Sequence, residues 1–102
     1  MITSTANAQV KNLAQLIKKS KARTEQGVYI VEGVKMFQEA PSDEIVKAYI
    51  SEELYEKGTL KNSLDSISYE ELKNEVFNHV ADTKTPQGVL CILKQKNILS
   101  TN

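Results

Sequence analysis

The spacing of apolar residues along the chain predicts four helices that alternate with four strands. Residues 7–22 read as an amphipathic helix with Asn7 as its N-cap, because one apolar face recurs at helical spacing: Val10, Leu13, Ala14 and Ile17. A β-branched and aromatic run at 28–31 predicts a buried strand, and helical spacing returns from Val34 up to Pro41. The first half of the chain is therefore helix, strand, helix.

The middle of the chain continues this alternation with weaker signals. A second strand is predicted at 45–50, followed by a short helix that Ser51 caps and Gly58 ends. Residues 59–65 read as a polar loop, and 66–68 as a weak third strand. The order of the strands in the sheet stays open, because the third strand is so weak.

The last helix and the last strand carry clearer patterns. Ser68 and Glu71 have the spacing of a capping box, and an inward helix face follows: Tyr69, Leu72, Val76, Phe77 and Val80. After a polar loop at 81–88, the run at 89–93 is apolar at every position, which suits a central strand covered on both faces. Alternating strands and helices favour a largely parallel sheet with helices on both faces.

Length and composition restrict the class of protein. The chain has 102 residues, 40% hydrophobic and 25% charged, which is the composition of one ordinary globular domain. No apolar stretch approaches the roughly 20 residues that cross a bilayer, and no charged-then-apolar leader opens the chain, so we expect a cytoplasmic protein without a membrane segment. Cys91 and His79 are each alone of their kind, which excludes an internal disulfide and a Cys/His zinc site.

Charge is unevenly distributed although the net charge is zero. Residues 1–24 contain five basic side chains and no acid, whereas residues 39–75 contain ten acids and four lysines. Residues 82–96 are basic again. This division indicates one face for a polyanion and another for solvent, although charges in a short chain also cluster by chance.

Catalytic patterns are missing from the sequence. Neither G-x-x-x-x-G-K nor G-x-G-x-x-G occurs, and a Ser-His-Asp centre would have to use His79, which reads as a surface or cap histidine. Cys91 lies in the most apolar segment, where a thiol behaves as a small hydrophobic group. We therefore expect this chain to have no catalytic residues and no activity by itself.

Three segments read together are more specific than any single pattern. They are Ile2-Thr3-Ser4 with Asn7, Val10-Lys11 and Leu13; Arg23, then Gly27-Val28-Tyr29-Ile30-Val31-Glu32-Gly33 and Glu39-Ala40; and Asp82-Thr83-Lys84-Thr85-Pro86-Gln87-Gly88-Val89-Leu90. In this order and spacing, residues 2–94 resemble the N-terminal substrate-binding domain of the SpoU (TrmH-type) RNA 2′-O-ribose methyltransferases. The resemblance implies an α/β fold, a small three-layer α/β/α sandwich with a mixed four-stranded sheet, similar to kink-turn-binding ribosomal proteins.

The resemblance also implies partners and a place in a longer enzyme. Residues 1–96 would be the RNA substrate-binding domain, and 97–102 a tail or the start of a linker to an absent catalytic domain. That C-terminal knotted domain would bind S-adenosylmethionine, and the parent enzyme would be a homodimer that modifies structured RNA, ribosomal RNA above all. Two departures are Ala8, where the family often has proline, and the single arginine of the 19–23 segment.

The expected RNA-binding residues come from the basic first helix, the turn after the first strand and the loop before the last strand: Lys11, Lys18, Lys21, Arg23, Lys35, Thr83, Lys84, Thr85 and Gln87. Each has a plainer role open to it. The lysines can form a solvated helix face, Gln87 can satisfy loop carbonyls, and Glu32 can fix the turn before Gly33. Few aromatic side chains are free for base stacking, because Tyr29 is expected in the core and Tyr49, Tyr55 and Tyr69 at strand or helix positions. The sequence therefore does not support recognition of single strands by an aromatic platform.

Two other functions stay open at this point. The chain could be a stand-alone binder of structured RNA with the same fold, although its turn Val31-Glu32-Gly33-Val34 lacks the asparagine-glutamate pair usual in such proteins. It could also be a protein-interaction module that uses the acidic segment 39–75 or an exposed sheet edge.

Overall fold

A computed structural model of the chain describes residues 1–81, 83 and 86–95. Within these residues the elements in chain order are α1 (Ala8–Lys18), α2 (Ser20–Gln26), β1 (Val28–Glu32), α3 (Val34–Glu39), a 3-10 turn (Ser42–Glu44), β2 (Ile45–Ser51), α4 (Glu52–Lys57), α5 (Lys61–Leu64), β3 (Tyr69–Leu72), α6 (Asn74–Ala81) and β4 (Val89–Lys94). The expected tail or linker at 97–102 lies outside the described residues. No helix of the described part is long and apolar enough to cross a membrane.

The sheet is mixed, with the strand order β1-β4-β2-β3. Strand β4 is antiparallel to both of its neighbours, and β2 is parallel to β3. The expectation of a largely parallel sheet is therefore wrong, and the mixed sheet implied by the family resemblance is confirmed. Strands β1, β2 and β3 all run in one direction. Strand β4 runs in the opposite direction, because it follows α6 and begins at the same end of the sheet at which β3 ends. The continuous apolar pattern at 89–93 correctly predicted a central strand, since all five residues are buried.

Helices cover both faces of this sheet and form two hydrophobic cores. Helices α1 and α6 pack on one face around these buried residues: Ile2, Val10, Leu13, Leu16, Val28, Tyr49, Leu72, Val76, Phe77, Val80, Ala81, Leu90 and Ile92. On the other face the buried residues are Phe37, Ala48, Ile50, Leu60, Leu64, Val89, Cys91 and Leu93. The expected three-layer sandwich is thus present, with the sheet as its middle layer.

The first predicted helix is two helices. Residues 7–22 do not continue as one helix, because Lys19 adopts an extended backbone (φ −121°, ψ 114°) between α1 and α2. Asn7 is confirmed as the N-cap of α1, since its side-chain oxygen accepts a hydrogen bond from the Gln9 N–H at 2.8 Å. The break turns α2 and its basic residues away from the line of α1.

The segment between Gly58 and α6 differs most from the prediction. Residues 59–65 contain α5 instead of a polar loop, because Leu60 and Leu64 are buried and hold this turn against the second core. The third strand is Tyr69–Leu72, not 66–68, and it pairs with β2.

The capping box at Ser68 is also wrong. Glu71 lies in β3, where its carbonyl accepts a hydrogen bond from the Ile2 N–H at 2.8 Å, and the helix begins only at Asn74. Pairing with β2 and with Ile2 outweighs the local helix signal, as tertiary contacts often do in short segments.

Candidate functional site

Two of the three sequence segments meet at one end of the sheet: the turn Glu32-Gly33 and the segment Pro86–Gly88. We call this end the upper edge and define it by Glu32, Gly33, Ser51 and Gly88. Here β1 and β2 end and β4 begins. The Gly33 N–H donates to the Val89 carbonyl at 3.0 Å, and the Ser51 N–H donates to the Gly88 carbonyl at 2.8 Å. These backbone hydrogen bonds place the turn after β1 and the start of α4 beside the segment Pro86–Gly88.

Glu32 and Gln87 connect the two segments directly. The Glu32 Oε2 accepts a hydrogen bond from the Gln87 N–H at 3.1 Å. In return, the Gln87 side chain lies over Gly33, where a Cβ would stand only 2.5 Å from the Gln87 Oε1. Gly33 also has φ +113°, a conformation that only glycine adopts readily. The glutamate and the glycine of this turn therefore hold the second segment in place.

The expected lysines are exposed on the helices. Lys11 and Lys18 lie on α1, Lys21 lies on α2, and Lys35 is the second residue of α3, directly after the Gly33 turn. In the described part of the chain, no side-chain hydrogen bond or ion pair joins Lys11 or Lys18 to the upper edge. A polyanion can therefore reach the four ammonium groups. They are spread over the surfaces of three helices and do not surround one closed site.

Arg23 has a different environment from the lysines. It is half-buried, and its Nη1 donates to the Leu16 carbonyl at 2.7 Å and to the Ile17 carbonyl at 3.2 Å. These hydrogen bonds satisfy carbonyls at the end of α1 that the helix itself leaves unpaired. Arg23 also lines a cleft of about 380 Å³ together with Glu32 and Ala81, which brings α2 next to the upper edge.

The loop before β4 is described only in part. Thr83 and Gln87 are exposed, while Lys84 and Thr85 lie outside the described residues. Pro86 is half-buried beside Gly88, which is buried. Of the expected loop residues, the structure therefore places Gln87 firmly, through Glu32 and Gly33.

Two features of the structure differ from the sequence prediction or were absent from it. Tyr29 was expected in the core but is 37% exposed, because β1 is an edge strand and Tyr29 points away from the face that carries Val28 and Ile30. A polar cavity at the upper edge, between α4 and α6, was not foreseen either. This cavity is built from residues far apart in the chain, so no local sequence pattern predicts it.

Two titratable side chains of the core have pKa values raised by burial. Burial raises the pKa of the Cys91 thiol to about 12. Burial, and secondarily the Glu70 carboxylate, raises the pKa of Tyr49, whose hydroxyl donates to the Gln9 Oε1 at 3.2 Å. Within residues 1–81, 83 and 86–95, no group of three His, Cys, Asp or Glu side chains is arranged to hold a metal ion.

The mixed four-stranded sheet between two helical layers defines a small α/β domain, and comparison with known proteins identifies its class. The family model of the MRM3-like substrate binding domain matches residues 7–91. The chain belongs to this family, which confirms the resemblance seen in the three sequence segments. A comparison with curated proteins found no match.

Solved structures of RNA methyltransferases share the fold. An rRNA methyltransferase from Sinorhizobium meliloti is 26% identical over 93% of this chain, with a TM-score of 0.71. An RNA 2′-O ribose methyltransferase is 22% identical over 95% of the chain (TM-score 0.73), and the SpoU methyltransferase AviRb from Streptomyces viridochromogenes is 15% identical over 88% (TM-score 0.63). The last two likenesses concern the fold alone. The chain spans only 34–38% of the length of these three proteins.

Proposed function

We propose that this chain is the RNA-recognition domain of an S-adenosylmethionine-dependent RNA 2′-O-ribose methyltransferase of the SpoU type, with ribosomal RNA as its substrate. The observation that carries the proposal is the family match over residues 7–91. The likeness to an rRNA methyltransferase supports it, because this chain covers only 36% of the length of that chain. The remaining length leaves room for a separate catalytic domain.

The charges of the described residues support RNA binding through phosphates. Lys11, Lys18, Lys21 and Lys35 are exposed, and none of them makes an ion pair in the described part of the chain. A-form RNA hides its base edges in a deep and narrow groove, so proteins recognise it mostly by shape, phosphates and 2′-hydroxyls. A domain without net charge can offer such an RNA only a local basic surface.

The methyl donor would be held by a further domain of the longer protein. S-adenosylmethionine supplies the methyl group, and the role of this chain would be to place one ribose 2′-hydroxyl beside it. The sequence of this chain contains no G-x-G-x-x-G loop for a nucleotide cofactor. We extend the proposal to a cytoplasmic, homodimeric parent enzyme. Calorimetric titration of the 102-residue chain with S-adenosylmethionine should give no saturable heat. Micromolar binding would contradict the proposal that another domain holds the methyl donor.

Salt dependence of RNA binding tests the proposed function. With about three to five phosphate contacts, the slope of log K against log salt for a ribosomal RNA hairpin should be roughly −2 to −5. Replacing Lys18 and Lys21 together by Ala should flatten the slope by up to about 2. The matched control replaces Lys61 and Lys73, two exposed lysines of the acidic segment, and should leave the slope unchanged.

Two results would overturn the proposal. One is equal RNA affinity of both double variants at every salt concentration. The other is a set of RNA-induced NMR shifts centred on the acidic segment 39–75, which would favour a protein-interaction module. Sequencing the gene beyond the codon for Asn102 distinguishes the remaining alternative, because a stand-alone RNA-binding protein would have no methyltransferase domain after it.

A further inference from the structure

A polar cavity of about 430 Å³ opens at the upper edge between α4, α6 and the start of β4. Its volume lies in the range of roughly 300–1,000 Å³ that is usual for sites of small ligands. Leu54 and Pro86, both half-buried, give it apolar walls, while Glu53, Lys57 and Asn78 stand around its mouth. The cavity can therefore cover a flat ring and meet polar groups at the ring edge.

The walls of this cavity are fixed by their own hydrogen bonds. The Ser51 Oγ accepts from the Leu54 N–H at 3.2 Å, and the Asn74 Oδ1 accepts from the Glu53 N–H at 2.9 Å. Gly88 lies so close to α4 that a Cβ there would stand 3.0 Å from Leu54 and 3.1 Å from the Ser51 Oγ. The cavity is thus formed before any ligand enters, which lowers the entropic cost of binding.

The three polar side chains at the mouth are not used by the fold. Glu53, Lys57 and Asn78 are exposed, and their side chains make no hydrogen bond or ion pair in the described part of the chain. A carboxylate accepts hydrogen bonds, an ammonium donates them, and an amide does both. Since the two charges cancel, the set suits a neutral ring that carries donors and acceptors side by side, with an anion only at Lys57.

We propose that this cavity binds one unpaired nucleotide of the RNA, with the base against Leu54 and Pro86 and its phosphate at Lys57. The inference rests on the proposed function, because the wall Pro86–Gly88 belongs to the loop expected to contact RNA. A base has the required edge of donors and acceptors, and a nucleotide outside a helix has that edge free. The domain would then recognise structured RNA at a bulge or loop, in addition to its phosphates.

Two RNA hairpins with the same stem provide the test, one fully paired and one with a single bulged nucleotide. Measured by fluorescence anisotropy with the 102-residue chain, the bulged hairpin should bind about 10-fold more tightly. Asn78→Ala and Lys57→Ala should each remove most of that difference. Both residues are exposed on helices, so melting temperatures should confirm that the variants fold. Asn62→Ala and Lys61→Ala are the matched controls, because both residues are exposed at the start of α5. These two variants should retain the full preference for the bulged hairpin.

The possible outcomes separate this inference from the proposed function. Equal affinity for both hairpins, or a preference for the bulge that survives Asn78→Ala and Lys57→Ala, overturns the nucleotide site and leaves the RNA-binding proposal standing. Absence of salt-dependent binding to either hairpin overturns both proposals.

Discussion

Glu32 and Gln87 are 55 positions apart in the chain, and the carboxylate of the first accepts a hydrogen bond from the backbone N–H of the second at 3.1 Å. The contact joins two short segments, Val31-Glu32-Gly33 and Pro86-Gln87-Gly88. Glu32 supplies a carboxylate that accepts from the Gln87 N–H, which would otherwise be unpaired. The Gln87 side chain in turn packs on Gly33, in the space that a Cβ would occupy. The turn after β1 and the loop before β4 therefore act as one structural unit.

Gly33→Ala should be considerably more destabilising than Gly27→Ala. Gly33 combines φ +113° and ψ 152° with a Cβ position only 2.5 Å from the Gln87 Oε1, so about 1–3 kcal/mol of backbone strain adds to a steric clash. Gly27 has the left-handed helical conformation (φ 68°, ψ 39°) and open space around its Cβ position, so the cost there should be about 1 kcal/mol. Urea unfolding of the two variants measures the difference, and equal midpoints would contradict the packing of Gln87 on Gly33.

Arg23→Ala should lower the free energy of unfolding by about 1–2 kcal/mol, because the Arg23 Nη1 hydrogen bonds at 2.7 and 3.2 Å hold the end of α1. Lys21→Ala, two positions earlier on the same helix and fully outside these contacts, should stay within about 0.5 kcal/mol of the parent. Chemical denaturation of both variants tests this. If the two are equally stable, the hydrogen bonds of Arg23 contribute nothing, and its guanidinium is as free for RNA as the lysines are.

The serines before α4 and before β3 should respond differently to substitution. Ser51→Ala should cost about 1 kcal/mol, because it removes the N-cap bond to Leu54. Ser68→Ala should change stability by less than about 0.5 kcal/mol, since Ser68 is exposed and caps no helix. Leu72→Ala, at a fully buried position of β3, should cost about 2–5 kcal/mol. Thermal melting of the three variants should rank them in this order of damage: Leu72, Ser51, Ser68.

These contrasts show what the sequence alone could predict. Strand β4 was found because five consecutive apolar residues have few alternatives, and α4 was found because Ser51 and Gly58 mark its two ends locally. At Tyr69–Leu72 the local helix signal was genuine, but pairing with β2 outweighed it. The contact between Glu32 and Gln87 could not be predicted, because it depends on the order of strands in the sheet and on no local pattern.

Cys91 should make the stability of the domain fall at high pH. Burial raises its pKa from 9.0 to about 12, and a thiol is neutral when protonated, so the unfolded chain loses this proton first. Between pH 9 and 12 the folded state thus binds more protons, and the free energy of unfolding decreases as pH rises, by about 1.4 kcal/mol per pH unit from this group. Below pH 9 the contribution is constant.

The matched variant for this prediction is Cys91→Val, which keeps an apolar side chain of similar size in the second core and removes the titrating group. Tyr49, whose pKa is also raised, titrates in both proteins, so its effect cancels in the comparison. Urea unfolding at pH 7.5 and pH 10 should show the parent losing about 1 kcal/mol more than Cys91→Val over this interval. Equal losses would mean that the thiol ionises as easily inside the fold as outside it, which a central strand buried on both faces does not permit.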